Sequence, residues 1–178
     1  MNLVYQIPDK LYYIQNFLDY PTYKELHYAT FRSRKIILKS TQDSWDKGLK
    51  YGHSSFVKNT LLDIDYKPLQ KIKILLENNI FHKVKIKKYI PLIHSMVDGS
   101  GINWHDDYGH EYGITYYINS RWNPSFGGEF LFRDENSNGF IPIVGNSIVI
   151  IKAPFQHKVC PVQKPTVPRK TIQIFVDK

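Results

Sequence analysis

The chain has 178 residues, 42% of them hydrophobic and 15% aromatic, which excludes a disordered segment and suits one folded domain over residues 1–178. Its single cysteine, Cys160, excludes an internal disulfide and a multi-cysteine zinc site. The formal charge of +8 admits an acidic partner; no apolar run approaches the ~20 residues of a membrane span and no signal-peptide pattern opens the chain, so a cytoplasmic, intracellular protein is expected.

The opening "NLVYQIPDKL" reads as a strand and turn. "DYPTYKELHYATFR" predicts a helix, with a proline near its start and polar groups ahead of the apolar positions. "YKPLQKIKILLENNI" predicts a second, placing Leu69, Ile72, Leu75 and Leu76 on one face and Asn78 and Asn79 at the end. Residues 1–80 are therefore expected to be mainly helical support. In "HKVKIKKYI" Val84 and Ile86 alternate with Lys83, Lys85 and Lys87, the pattern of a strand with one wet lysine face. No internal repeat or low-complexity linker is present.

From Lys83 onward short strand candidates follow one another, separated by Gly, Pro, Asn and Asp: 83–96, 102–106, 112–119, 128–133, 139–143, 147–152, 156–162 and 169–176. Strands at this spacing imply a sandwich or barrel. The expected fold class is α+β, mainly β: a jelly-roll (double-stranded β-helix) core over 82–176 with the N-terminal helices buttressing one sheet. Side chains alternate across a strand. In "GITYYIN" Gly113, Thr115 and Tyr117 share one face, and Ile114, Tyr116 and Ile118 the other. In "RKTIQIFV" Arg169, Thr171 and Gln173 oppose Ile172, Ile174 and Val176. A barrel with a working cavity would turn the polar faces inward.

The chemistry centres on "INWHDDYG". His105 and Asp107 are two residues apart, so in an extended strand both leave the same face and reach one ion, while Asp106 points away. Alone, this is equally a polar turn. Of the seven histidines, His157 is the most attractive third ligand, lying between two apolar strands. Two histidines and a carboxylate on a β scaffold match the facial triad of non-haem Fe(II) oxygenases. Arg169, on the polar face of the final strand, suits a bidentate carboxylate, and an arginine inside a barrel is costly without an anion. A dicarboxylate that chelates iron at one end and meets Arg169 at the other is the logic of 2-oxoglutarate binding.

The ordered set "WHDD", "YYINSRW", "GGEF", "QHKV" and "PRKTIQIF" resembles the prolyl-4-hydroxylase-like branch of the Fe(II)- and 2-oxoglutarate-dependent dioxygenases, over about residues 82–176. The resemblance implies iron ligation by His105, Asp107 and His157, and co-substrate binding by Arg169 and Tyr117. It implies Fe(II) as cofactor and 2-oxoglutarate and O2 as co-substrates. The expected reaction is hydroxylation of a prolyl residue in a peptide or protein, coupled to decarboxylation of 2-oxoglutarate to succinate. Two departures stand out. Several members carry a tyrosine shortly before the metal histidine, where this chain has Met96. Related nucleic-acid demethylases carry a second arginine in the last strand, where this chain has none after Arg169.

Thr115 joins Tyr117 on the polar face as a co-substrate contact. Asn103, Trp104, His94, Met96 and Thr171 are candidates for substrate contact or for supporting the site, with packing as the plainer role of Trp104 and Trp122. His110 is a further candidate; His27, His53 and His82 read as structural or surface residues. The glycines of "DGSG" and "FGGE" read as turn residues. The same chemistry on a free amino acid, metabolite or nucleic acid, a non-catalytic metal-binding cupin-like barrel, and a basic nucleic-acid-binding module are the alternative functions. Loops 45–60 and 121–126, which would decide the substrate, carry no readable pattern.

Overall fold

The structure, a computed structural model, describes residues 1–32, 39–40 and 58–177. Helix α1 spans Tyr20–Phe31. Asp19 caps it, its carboxylate accepting the Thr22 N–H at 3.1 Å, and Pro21 fits the first turn, where no N–H is required. Helix α2 spans Lys67–Asn79, with Pro68 in its first turn, and buries Leu69, Ile72 and Leu76 on one face. Both helices lie where apolar spacing predicts them. None of the described helices is long and apolar enough to cross a membrane.

Twelve strands form two antiparallel sheets among the described residues. They are β1 (Asn2–Ile7), β2 (Leu11–Gln15), β3 (Lys39–Ser40), β4 (Lys58–Leu61), β5 (Lys88–Met96), β6 (Ile102–His105), β7 (Tyr112–Tyr117), β8 (Phe130–Arg133), β9 (Asn138–Ile141), β10 (Ser147–Lys152), β11 (His157–Val159) and β12 (Arg169–Asp177). The large sheet runs β1-β2-β10-β7-β12-β5-β4-β3 and the small one β6-β11-β8-β9. Two facing antiparallel sheets, mainly β and backed by helices, are the jelly-roll arrangement expected.

Alternation assigns the two faces of the large sheet. Ile14, Ile114, Tyr116, Ile148, Ile150, Ile172 and Ile174 pack against Leu26 of α1 and Leu69, Ile72 and Leu76 of α2 in one core. Each such aliphatic side chain contributes about 1.5–3 kcal/mol when fully buried. A one-residue slip of β12 would carry Arg169, Thr171 and Gln173 into that layer and Ile172 and Ile174 out of it, so burial fixes the register. The opposite face looks toward the small sheet, and there the polar residues of β7 and β12 enclose a cavity.

Three sequence expectations change. Residues 1–80 also supply β1 to β4, and β1–β2 is a hairpin whose second strand pairs with β10. Strand β5 starts at Lys88, not Lys83, because the buried Glu77 of α2 captures the intervening segment: its carboxylate accepts the Ile86 N–H at 2.9 Å and pairs with Lys85 Nζ at 3.0 Å. His82 and Lys83 accordingly take left-handed backbone conformations, φ 51° and 66°. Two of the later strands are shorter than expected, 157–159 rather than 156–162 and 138–141 rather than 139–143. Of the loop expected at 45–60, residues 45–57, with His53, lie outside the described residues.

Candidate metal and co-substrate site

β6 and β11 are neighbours in the small sheet, and His105 is registered opposite His157. Their ring centroids are 4.0 Å apart. The Asp107 carboxylate spans them: Oδ1 lies 3.4 Å from His105 Nε2, and Oδ2 lies 3.5 Å from His157 Nε2. One ligand atom from each of the three residues falls within 4.8 Å of the others, a spacing that could hold one metal ion.

The reason Asp107 reaches this point differs from the sequence argument. β6 ends at His105, and Asp107 sits beyond it with φ 55°, in the left-handed region. A turn, not strand alternation, carries its carboxylate back beneath the histidines. Asp106 lies half-buried outside, where its Oδ1 accepts the Tyr108 N–H at 3.1 Å and so supports that turn.

Both histidines are oriented from behind. His105 Nδ1 is 2.8 Å from the Asn103 carbonyl oxygen, and His157 Nδ1 is 2.8 Å from that of Phe155. A carbonyl only accepts, so each Nδ1 carries the proton and each Nε2 lone pair faces the cluster. Phe130 stacks on the His157 ring at 5.0 Å and 17°, which fixes its plane. Burial pushes the His157 pKa down to about 4, with His105 adding to the effect. Burial also opposes charge on His105, but the adjacent Asp107 carboxylate overrides it and raises that pKa. Against its own burial, Asp107 is held below the usual carboxylate range by the two histidines. The ionised carboxylate and the neutral His157 are in the state that a divalent metal requires, and His105 would give up its extra proton as the metal binds.

The cluster lines one side of a cavity, and Arg169 lines the same cavity. Arg169 is 1% exposed. Its Nη1 meets only the Met96 sulfur, at 3.4 Å, while Nε and Nη2 are buried with no hydrogen-bond acceptor. Among the described residues no carboxylate lies within ion-pair distance of it. Its guanidinium carbon lies 5.4 Å from the Tyr117 ring centre, and the buried Tyr117 hydroxyl is also without a partner. Burial lowers the Arg169 pKa, and burial raises that of Tyr117 to about 12. A buried cation beside a neutral hydroxyl, with no carboxylate at ion-pair distance to balance its charge, could receive an anion.

Between the two ends, Thr115, Thr171, His94 and Met96 line the cavity. Thr115 Oγ1 donates to Gln173 Oε1 at 2.7 Å, tying β7 to β12 across the cavity floor. Gln173 and Phe130 were not singled out from sequence, although the alternation of "RKTIQIF" already put Gln173 on the Arg169 face. Gly128, read as a turn residue, abuts Arg169: a Cβ there would stand 2.8 Å from Arg169 Cδ and 3.2 Å from Nε.

Other candidates fall elsewhere. Trp104 does not line the cavity; its ring lies under the Arg133 guanidinium at 4.3 Å, with Lys158 Nζ at 5.7 Å. Asn103 is exposed, and it is its backbone carbonyl that orients His105. Trp122 donates to the Gly127 carbonyl at 2.9 Å and packs edge-on against Phe126, a structural role. His110 stacks on Phe175 at 4.6 Å beside the cavity.

Residues 91–177 match the model of the 2OG-Fe(II) oxygenase superfamily. No curated protein sequence matches the chain. Among solved structures the chain is similar to a Pseudomonas putida prolyl-4-hydroxylase, at 11% identity and TM-score 0.67 over 96% of this chain and 94% of that one. It is similar to a Trichoplax adhaerens prolyl hydroxylase in complex with a hypoxia inducible factor oxygen degradation domain peptide fragment, at 17% identity and TM-score 0.71 over 95% and 84%. A Burkholderia pseudomallei oxidoreductase of the 2OG-Fe(II) oxygenase family aligns at 11% identity and TM-score 0.66 over 94% and 85%. At these identities the structural likeness establishes the fold, and the family match carries the class of chemistry. The family match over residues 91–177, together with the fold shared with prolyl hydroxylases, supports an oxidoreductase of the 2OG-Fe(II) dioxygenase type.

Proposed function

We propose that His105, Asp107 and His157 hold Fe(II), that Arg169 and Tyr117 hold the distal carboxylate of 2-oxoglutarate, and that the enzyme hydroxylates a prolyl residue in a peptide or protein. The observation that carries the reading is that one cavity is lined by both the His–Asp–His cluster and a buried guanidinium with no anion. A dicarboxylate that reaches from one to the other satisfies both.

The residues present fit these groups. Asp107 Oδ2 is buried without a hydrogen-bond donor, as a carboxylate oxygen reserved for a cation would be. The two Nε2 lone pairs converge on the same point. Bound at this site, Fe(II) with 2-oxoglutarate and O2 would supply the oxidation, in which the co-substrate leaves as succinate and CO2 and one oxygen atom enters the substrate. The chain's own part is orientation and shielding. The Asn103 and Phe155 carbonyls hold the imidazoles, Arg169 and Tyr117 hold the anion, and the apolar walls formed by Ile102, Phe130 and Val159 keep water out.

The substrate class rests on the motif order of the prolyl-4-hydroxylase-like branch and on a fold shared with prolyl hydroxylases, one of which is bound to a peptide. The net charge of +8 suits an acidic peptide. The test is succinate release stimulated by proline-containing peptides, with mass spectrometry for a product heavier by one oxygen atom. Stimulation by free amino acids, metabolites or oligonucleotides, and by no peptide, would overturn the substrate class. No 2-oxoglutarate turnover with any of them, together with no metal binding, would overturn the whole reading.

A further inference from the structure

We infer that Gly113 is a positioning residue for the metal centre, acting by the absence of its side chain; the inference rests on the ligand set proposed above. Gly113 lies in β7, an interior strand of the large sheet, registered against Ile151 of β10 on one side and Phe175 of β12 on the other. Glycine is a poor choice there. It weakens a strand interior, and the neighbouring positions hold Tyr112, Ile114 and Thr115, side chains that favour strands. Glycine inside a strand often marks a place where another group comes close to the backbone.

The group that comes close is the Asp107 carboxylate. A Cβ on Gly113 would stand 2.0 Å from Asp107 Oδ2 and 3.1 Å from its Cγ, with Ile151 Cγ1 at 3.3 Å. Real Cβ atoms do not approach so closely, so alanine at 113 would force the carboxylate to move. The same Oδ2 is the oxygen that faces His157 Nε2 at 3.5 Å and that has no hydrogen-bond donor to hold it. Its place is therefore set by shape: the left-handed turn at Asp107 delivers the carboxylate, and the bare backbone of Gly113 receives it. Gly113 lies outside the left-handed region, so alanine introduces a methyl group there without a forbidden backbone conformation.

The test compares Gly113→Ala, Asp107→Ala and the double variant. Co(II) or Mn(II) binding is measured anaerobically by visible or electron-spin resonance titration, and stability by urea unfolding without metal. Gly113→Ala should weaken metal binding about 10- to 100-fold, the usual cost of losing a group that orients a ligand. In the Asp107→Ala background the same substitution should cause no further loss of metal affinity and a smaller drop in urea midpoint, because the displaced carboxylate is gone. Tight metal binding by Gly113→Ala, or an equal stability loss in both backgrounds, would overturn the inference and leave Gly113 an ordinary packing position. If Gly113→Ala does not fold alone, a folded double variant supports the inference, and an unfolded one overturns it. Failure of the ligand assignment itself reads differently: wild type would then bind no metal, or Asp107→Ala would bind it as tightly as wild type.

Discussion

His157 stands directly across from His105 on adjacent antiparallel strands, the two rings 4.0 Å apart. Paired opposition of this kind makes a ligand pair as rigid as the sheet itself. The Nε2 atoms of both rings face the Asp107 carboxylate at 3.4 and 3.5 Å, and Asp107 Oδ2 has no donor. Metal should therefore stabilise the fold. A metal at about 100 times its dissociation constant adds about 2.7 kcal/mol. Thermal unfolding with and without Mn(II) should show a rise in wild type that is lost in His105→Ala, Asp107→Ala and His157→Ala. A rise retained in all three would place the metal elsewhere.

The buried guanidinium gives a second expectation. Arg169→Met removes a charge whose Nε and Nη2 have no acceptor, so without 2-oxoglutarate the variant should be at least as stable as wild type, by up to about 4 kcal/mol. Stabilisation of the wild-type fold by 2-oxoglutarate should vanish in the variant while Mn(II) binding persists. A variant several kcal/mol less stable would mean that Arg169 is structural. Tyr117→Phe, which deletes one hydroxyl, should weaken 2-oxoglutarate binding by about 2- to 10-fold in the same titration.

Gly128 supports Arg169 and has φ 80°, a conformation that L side chains rarely adopt. Alanine there would meet Arg169 Cδ at 2.8 Å as well as strain the backbone. Gly128→Ala should lower stability by about 1–3 kcal/mol and weaken 2-oxoglutarate binding, with metal affinity unchanged. Unchanged 2-oxoglutarate affinity, measured by calorimetry under anaerobic conditions, would break the link to Arg169.

Acid should destabilise the metal-free protein for a traceable reason. Burial lowers the pKa of His94 to about 3 and of His157 to about 4, while in the unfolded chain both return to about 6.5. Between those limits the unfolded state binds more protons. Stability is then highest above about pH 6.5 and falls as pH drops, until the folded histidines protonate in turn. His105, with its raised pKa, works in the opposite direction above about pH 6.5 and adds no slope near pH 5. Near pH 5 unfolding should take up about two protons through His94 and His157, and about one in His94→Gln. The urea midpoint followed from pH 5 to pH 7 measures this, and an unchanged slope in the variant would show that His94 is not held neutral.

Much of the architecture is written locally. The caps and prolines at Asp19, Pro21 and Pro68 start the helices, and apolar alternation in "GITYYIN" and "RKTIQIFV" separates the helix-facing layer from the cavity face before any pairing is known. Arg169, Thr171 and Thr115 lie on the cavity side for that reason alone. The lysine-rich segment departs from its alternation because that pattern competes with a contact the sequence does not display, the capture of the Ile86 N–H by Glu77 nine residues earlier.

The sequence by itself determined which residue types face inward and in what order they come, because period and turn chemistry are properties of a few neighbouring residues. Only the tertiary structure decided how they meet. His105 faces His157 through a strand register set by the burial of both sheets. Asp107 turns inward through a left-handed residue rather than by alternation, and its carboxylate fits only because β7 passes behind it as bare backbone at Gly113. These are contacts between segments distant in the chain, and their geometry depends on close packing that no local pattern encodes.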